Sequence, residues 1–177
     1  MKRFVVTLFF AFAIACTNAA ATDVPLSKTT AQVYFSPRGG CTEAIVREIG
    51  KAKTEILVQA YSFTSAPIAK ALVDAHKRGV NVAVVLDKSQ RTAKYSSADF
   101  TAHASIPTFI DAAHAIAHNK VMVIDKETVI TGSFNFTKAA EEKNAENVLI
   151  IRAKDLAQEY SENWKKHKGH SEKYEGR

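Results

Sequence analysis

Apolar residues recur along this chain in short blocks whose spacing switches between two and about four. Ala31 to Phe35 alternates and predicts a first strand, closed by a turn at Pro37-Arg38-Gly39-Gly40. From about Thr42, the residues Ile45, Val46 and Ile49 fall on one helical face. Glu55 to Tyr61 is mostly apolar and reads as a second strand. The next helix carries clear punctuation: Ser65 as N-cap, Pro67 in the first turn, and an inner stripe of Ile68, Ala71, Leu72 and Ala75. His76, Lys77 and Arg78 close its last turn and Gly79 ends it.

Val80 to Leu86, apolar but for Asn81, is a third strand. Residues 87–104 are polar and mixed, which predicts a loop with a short helix, and Thr108 to Ala113 predicts another short strand. Val121–Ile124 and Thr128–Thr131 read as a hairpin around Asp125-Lys126-Glu127. Phe134 to Lys143 is a loop or short helix, Glu146 to Arg152 a last strand. A helix from about Asp155 follows, with Leu156, Tyr160 and Trp164 on one stripe. Strand–helix–strand units at short spacing predict an α/β fold: a mixed, mainly parallel sheet flanked by helices.

The first 21 residues break this pattern. Lys2 and Arg3 precede an apolar run from Phe4 to Ala15, and small residues follow up to Ala19-Ala20-Ala21. That is the layout of a secretory signal peptide, with an apolar run too short to span a bilayer. We expect cleavage near Ala21, with residues 22–177 forming one domain in the periplasm or outside the cell. A lipoprotein reading would instead use Cys16. Residues 22–30 are polar and read as a flexible start of the mature chain. Cleavage leaves Cys41 as the single cysteine, so no internal disulfide forms and stability must come from the core, for which 46% hydrophobic residues suffice. It also leaves 22 basic and 18 acidic residues. Such an excess permits an anionic polymer as substrate without demanding one.

The chemistry is concentrated in one stretch. His118, Lys120, Asp125, Gly132, Ser133 and Asn135 lie within eighteen residues of each other. The apolar, β-branched run after Lys120 predicts a buried strand, on which side chains two apart share a face. His118 and Lys120 therefore stand side by side, and Ser133 and Asn135 repeat the two-residue step after the return strand. An imidazole, an ammonium and a carboxamide at one sheet end are suited to attack on a phosphodiester without a metal.

The pattern His-x-Lys-x4-Asp-x6-Gly-Ser with a following asparagine resembles the signature of the phospholipase D superfamily. A single copy in a short chain resembles its bacterial Nuc-type endonucleases. Some members place the asparagine one position later, where this chain has Phe136. The resemblance implies a phospholipase D-like fold from about Val33 to Trp164 and no cofactor or metal. It implies His118 as nucleophile, Lys120 and Asn135 as phosphate clamps, and Ser133 and Asp125 in supporting roles. A glutamate after the motif orients the histidine in related nucleases. Glu146 resembles it, with Glu141 and Glu142 as nearby competitors. The family uses two motifs, so one per chain implies a homodimer with two copies of His118 facing across a twofold axis. His114 is the fallback acid within one chain.

Other readings compete. His76, His103, His167 and His170 read as ordinary structural histidines, and Phe134 and Phe136 as core. A metal site from His114, His118, Asp111 and Asp125 is disfavoured, since the stretch is a poor helix and the four-residue step needs one. The expected substrate is a nucleic acid. Lys88, Arg91 and Lys94, together with Lys138 and Lys143, lie in loops able to track a phosphate backbone. Nothing resembles a base-reading element. Phospholipid hydrolysis or phosphatidyl transfer is the alternative, though the mature chain shows no amphipathic membrane segment and no stable membrane association is expected.

Overall fold

The computed structural model describes Val24, Leu26 and residues 29–177. The expected leader at residues 1–21 lies outside them. In chain order the elements are β1 (Thr30–Ser36), α1 (Cys41–Lys51), β2 (Glu55–Ala60), α2 (Ala66–Lys77), β3 (Asn81–Asp87), a 3-10 turn (Lys88–Arg91) and α3 (Ala98–His103). There follow β4 (Thr108–Asp111), β5 (Lys120–Ile124), β6 (Thr128–Gly132), α4 (Lys138–Glu142), β7 (Glu146–Arg152), α5 (Lys154–Gly169) and β8 (Glu172–Tyr174).

The eight strands form one sheet in the order β1-β7-β6-β5-β2-β3-β4-β8. The mixed α/β class stands, but the expectation of a mainly parallel sheet needs correction. Parallel pairing is confined to β2–β3 and β3–β4, and the other five neighbouring pairs are antiparallel. β1 and β2 do run the same way, as a strand–helix–strand unit requires. The β5–β6 hairpin and β7 lie between them and turn each contact antiparallel. The short β8, Glu-Lys-Tyr, has no apolar run to announce it and adds to the exposed edge of β4.

Alternation across the sheet fills two cores. Ile56 and Val58 of β2, Val82, Val84 and Leu86 of β3, and Met122 and Ile124 of β5 face α1 and α2. Their odd-numbered neighbours Leu57, Ala83, Val85, Val121, Val123 and Val129 face α5, where Ala157 and Trp164 cover them. Both layers are apolar because these strands are covered on both sides. The indole Nε1 of Trp164 donates to the Val58 carbonyl at 2.8 Å, which fixes α5 against the centre of the sheet. Ser65 does stand at the N-cap of α2, yet its side chain makes no capping bond. Instead the N–H groups of Thr64 and Ser65 both donate to the Phe136 carbonyl, at 3.0 and 2.9 Å. That bond pair ties the segment after β6 to the start of α2.

Candidate active site

Strand direction brings the polar motif residues to one edge of the sheet. The last residues of β2, β3, β4 and β6 and the first residues of β5 and β7 all lie there, because Ala60 pairs with Lys120, Gly132 with Val148 and Ser36 with Glu146. His118 and Asn119 precede β5, and Asn119 continues its pairing by accepting a bond from the Tyr61 N–H at 2.8 Å.

Lys120 is only 7% exposed. Its Nζ donates to the His118 carbonyl at 2.6 Å and lies 5.1 Å from the centre of the Tyr61 ring. The same ring sits 4.6 Å from the His118 imidazole, tilted by 50°. Tyr61 thus props both motif side chains. Burial pulls the Lys120 pKa below its ordinary value, opposed by the negative charge of Glu146. His118 itself is exposed. An ammonium has three protons, so one bond to His118 leaves two for an incoming anion.

After β6 the chain turns sharply. Gly132 has φ 143°, and a Cβ there would stand 2.2 Å from the Asn147 carbonyl oxygen, so this position admits glycine alone. Ser133 Oγ accepts from the Asn147 backbone N–H at 3.1 Å and from its side-chain amide at 3.3 Å. Phe134 and Phe136 are buried in the core, as their apolar character predicts, and Asn135 between them is half-buried. The Asn135 Oδ1 is buried without a hydrogen-bond partner, at a cost of about 1–3 kcal/mol.

Glu146 is half-buried. Its backbone N–H donates to Ser36 Oγ at 3.2 Å, and its Oε1 accepts from the Asn144 side chain at 3.2 Å. Its negative charge favours the charged form of Lys120. The competitor Glu141 is occupied elsewhere: its carboxylate accepts from the N–H of Gly40 (3.2 Å) and Thr42 (2.7 Å) at the start of α1. Glu142 is exposed and pairs with Lys138. Asp125 stands at the far end of β5, five residues from Lys120 and so roughly 16 Å away. There, with φ 53°, it accepts from the N–H of Lys53, Thr54 and Glu55.

A family model described as cardiolipin synthase, PLD-like domain, matches residues 45–168. The chain belongs to the phospholipase D family. A phospholipase D of Rickettsia conorii is 47% identical over 139 residues, covering 78% of this chain and 70% of that protein. The crystal structure of Nuc from Salmonella typhimurium, a phospholipase D family member, superposes with a TM-score of 0.80 at 41% identity, covering 83% of this chain and 99% of that one. NucT from Helicobacter pylori shares the fold, with a TM-score of 0.76 at 21% identity, covering 83% of this chain and all of that one.

This phospholipase D family chain is therefore a phosphodiesterase-type enzyme. A cavity of about 670 Å³ is lined by α1, the start of α2 and α4, and none of His118, Lys120, Asn135 or Glu146 borders it. Of the predicted backbone-tracking cations, Lys88 is exposed and donates to the His114 carbonyl at 3.1 Å, and Lys94 is exposed beside Tyr95. Arg91 is engaged with Glu172 of β8 and lies over the Tyr174 ring. Sequence reasoning missed Tyr61, and also Asp87, whose carboxylate accepts from the Ala117 N–H at 2.7 Å and anchors the residue before His118. Their signal was the register of β2, β3 and β5, which only the fold supplies.

Proposed function

We propose that this enzyme is a metal-independent endonuclease that hydrolyses DNA, with RNA as the next polymer to test, through a phosphohistidine on His118. The carrying observation is that the exposed His118 ring and the buried Lys120 ammonium both meet the Tyr61 ring, at 4.6 and 5.1 Å. A phosphodiester repels nucleophiles by its charge. Lys120 and the Asn135 amide hold the non-bridging oxygens where charge persists through the transition state. A lysine in the pocket also disfavours a divalent cation there. The neutral His118 ring attacks phosphorus, a P–N bond forms and the P–O bond to the leaving alkoxide breaks. Glu146 stabilises the protonated and phosphorylated ring by its charge. Ser133, tied to Asn147, and the remote Asp125 hold the scaffold.

The alkoxide needs a proton, and the later water must lose one. In our reading the His118 of a second copy supplies and then recovers it, which makes the enzyme a homodimer with the two motifs meeting at a twofold axis. Support comes from the motif, which supplies one His-x-Lys pair per chain. Lys88 and Lys94 would follow the backbone beyond the cleaved bond, with Arg91 released from Glu172 to join them. The leader would direct the enzyme to the periplasm or medium. No helix among the described residues is long and apolar enough to cross a membrane. Phospholipid hydrolysis is the second reading, favoured by the name of the Rickettsia relative and by exposed Ile116 beside the site loop.

Plasmid DNA and phosphatidyl lipid vesicles, each offered to the purified protein in excess chelator, separate the two. We expect cleavage of DNA that disappears in His118→Ala. Turnover of lipid with intact DNA would overturn the nuclease reading, and a fully active monomer in sedimentation would overturn the dimer.

A further inference from the structure

Beyond the motif lies a second concentration of imidazoles. Asp111, the last residue of β4, is completely buried, and its Oδ2 faces three ring nitrogens: His167 Nδ1 at 2.8 Å, His114 Nδ1 at 3.0 Å and His170 Nε2 at 3.3 Å. The three rings stack about one point, with centroids 4.8 to 5.3 Å apart. One donor atom from each of the four residues lies within 4.8 Å of every other. The His114 Nδ1 also reaches Asp111 Oδ1 at 3.1 Å, so all three rings turn a nitrogen toward one buried carboxylate. A cation among them would take one lone pair from each of the four residues.

We propose that Asp111, His114, His167 and His170 bind a zinc-type divalent cation that clamps the end of α5 to the loop leading into His118. The dimensions suit it. A tetrahedron with metal–ligand distances of about 2.0–2.1 Å has edges of about 3.3 Å. The observed oxygen-to-nitrogen separations of 2.8 to 3.3 Å lie close to that edge, and the ring nitrogens, within 4.8 Å of one another, would draw together around the ion. Three nitrogens and one oxygen form the donor set of zinc and its transition-metal neighbours, whereas magnesium and calcium want oxygen. His167 and His170 are three apart at the end of one helix, which brings them to the same face. Asp111 Oδ1 also accepts from the Ala113 N–H at 3.1 Å, which holds the carboxylate in place.

The consequence is mechanical. The loop from Ala112 to Asn119 presents His118, and Asp87 holds its far end at Ala117. The ion would hold its near end at His114 and join it to α5, which Trp164 anchors to the sheet. This clamp is separate from the reaction assigned to His118, and its test does not read catalysis.

The purified protein, stripped by chelator and dialysed, is titrated with Zn²⁺ and separately with Co²⁺. We expect one ion per chain with a Kd below about 1 μM, an intense tetrahedral cobalt spectrum, and a Tm raised by roughly 5–10 °C at a hundredfold excess of zinc over Kd. His114→Ala and His170→Ala, both at partly exposed rings, should weaken binding at least about tenfold to a hundredfold. His103→Ala, an exposed histidine elsewhere, should leave it unchanged. Absence of stoichiometric binding by the unaltered protein would overturn the proposal. So would binding that survives both substitutions.

Discussion

Replacing Asp125 by alanine separates scaffold from chemistry at a position inside the family motif. Its carboxylate accepts from the N–H of Lys53 (2.9 Å), Thr54 (2.8 Å) and Glu55 (3.0 Å) and from the Thr54 hydroxyl (2.9 Å). Those bonds close the turn that starts β2, the central strand beside β5. Burial alone would raise the Asp125 pKa, but the bonds from Thr54, Glu55 and Lys53 outweigh it, and the net lies below the usual carboxylate value. A bond to a charged acceptor contributes about 1.5–3 kcal/mol at best. At this half-exposed site water replaces much of that, so the four together are worth about 2–4 kcal/mol. Alanine at φ 53° adds about 1 kcal/mol of backbone strain. Asp125→Ala should therefore lower Tm by roughly 10 °C, and Asp125→Asn by about half as much, since asparagine tolerates the left-handed region. Because the folded pKa is depressed, this stabilisation is complete above the unfolded value of about 3.9 and is lost as pH falls through the folded value. The gap between wild type and Asp125→Asn should close in acid. Thermal unfolding by circular dichroism measures the loss, and phosphodiester turnover well below both midpoints measures the chemistry, which should stay within about tenfold of wild type. An unchanged Tm with turnover down more than about a hundredfold would refute the reasoning and move this carboxylate into the reaction.

Lys120→Met should cut kcat/KM by at least about 10²-fold while leaving Tm unchanged or raising it, because the buried ammonium is held at a desolvation cost. A lowered lysine pKa means the charge is lost earlier on the way up in pH, so the alkaline limb of kcat/KM should fall below the ordinary value of 10.5 and move upward in Lys120→Arg. Tyr61→Ala should reduce kcat about tenfold by freeing the His118 ring, and Tyr61→Phe, which keeps the ring contact, should restore it; equal loss in both would assign the work to the hydroxyl. Gly132→Ala should destabilise by more than about 2 kcal/mol in urea unfolding, since the new methyl meets the Asn147 carbonyl at 2.2 Å.

Local features were legible before the fold. The β5–β6 hairpin follows from apolar runs flanking Asp125-Lys126-Glu127, and the structure gives both Asp125 and Lys126 positive φ, as the tight turn requires. Strand alternation predicts a shared face for His118 and Lys120, and in the fold both side chains meet the Tyr61 ring. What stayed hidden was long-range. Nothing in β1 announces that β7, rather than β2, is its neighbour, because antiparallel partners so distant in sequence leave no periodic trace. Tyr61 became visible only when Ala60 met Lys120 in register. Likewise His167 and His170 read singly as ordinary histidines, 56 and 59 residues from the aspartate they surround. Individual residue types carried too little signal, and their convergence is a property of the sheet order.

In the proposed reaction His118 becomes covalently bonded to phosphorus. Rapid quenching of a reaction with DNA under alkaline conditions, followed by peptide mass spectrometry, reads that bond. We expect an adduct carrying the phosphorus and its remaining nucleotide on the His118 ring in wild type and none in His118→Asn. Turnover that proceeds with no adduct on that ring would rule the covalent route out.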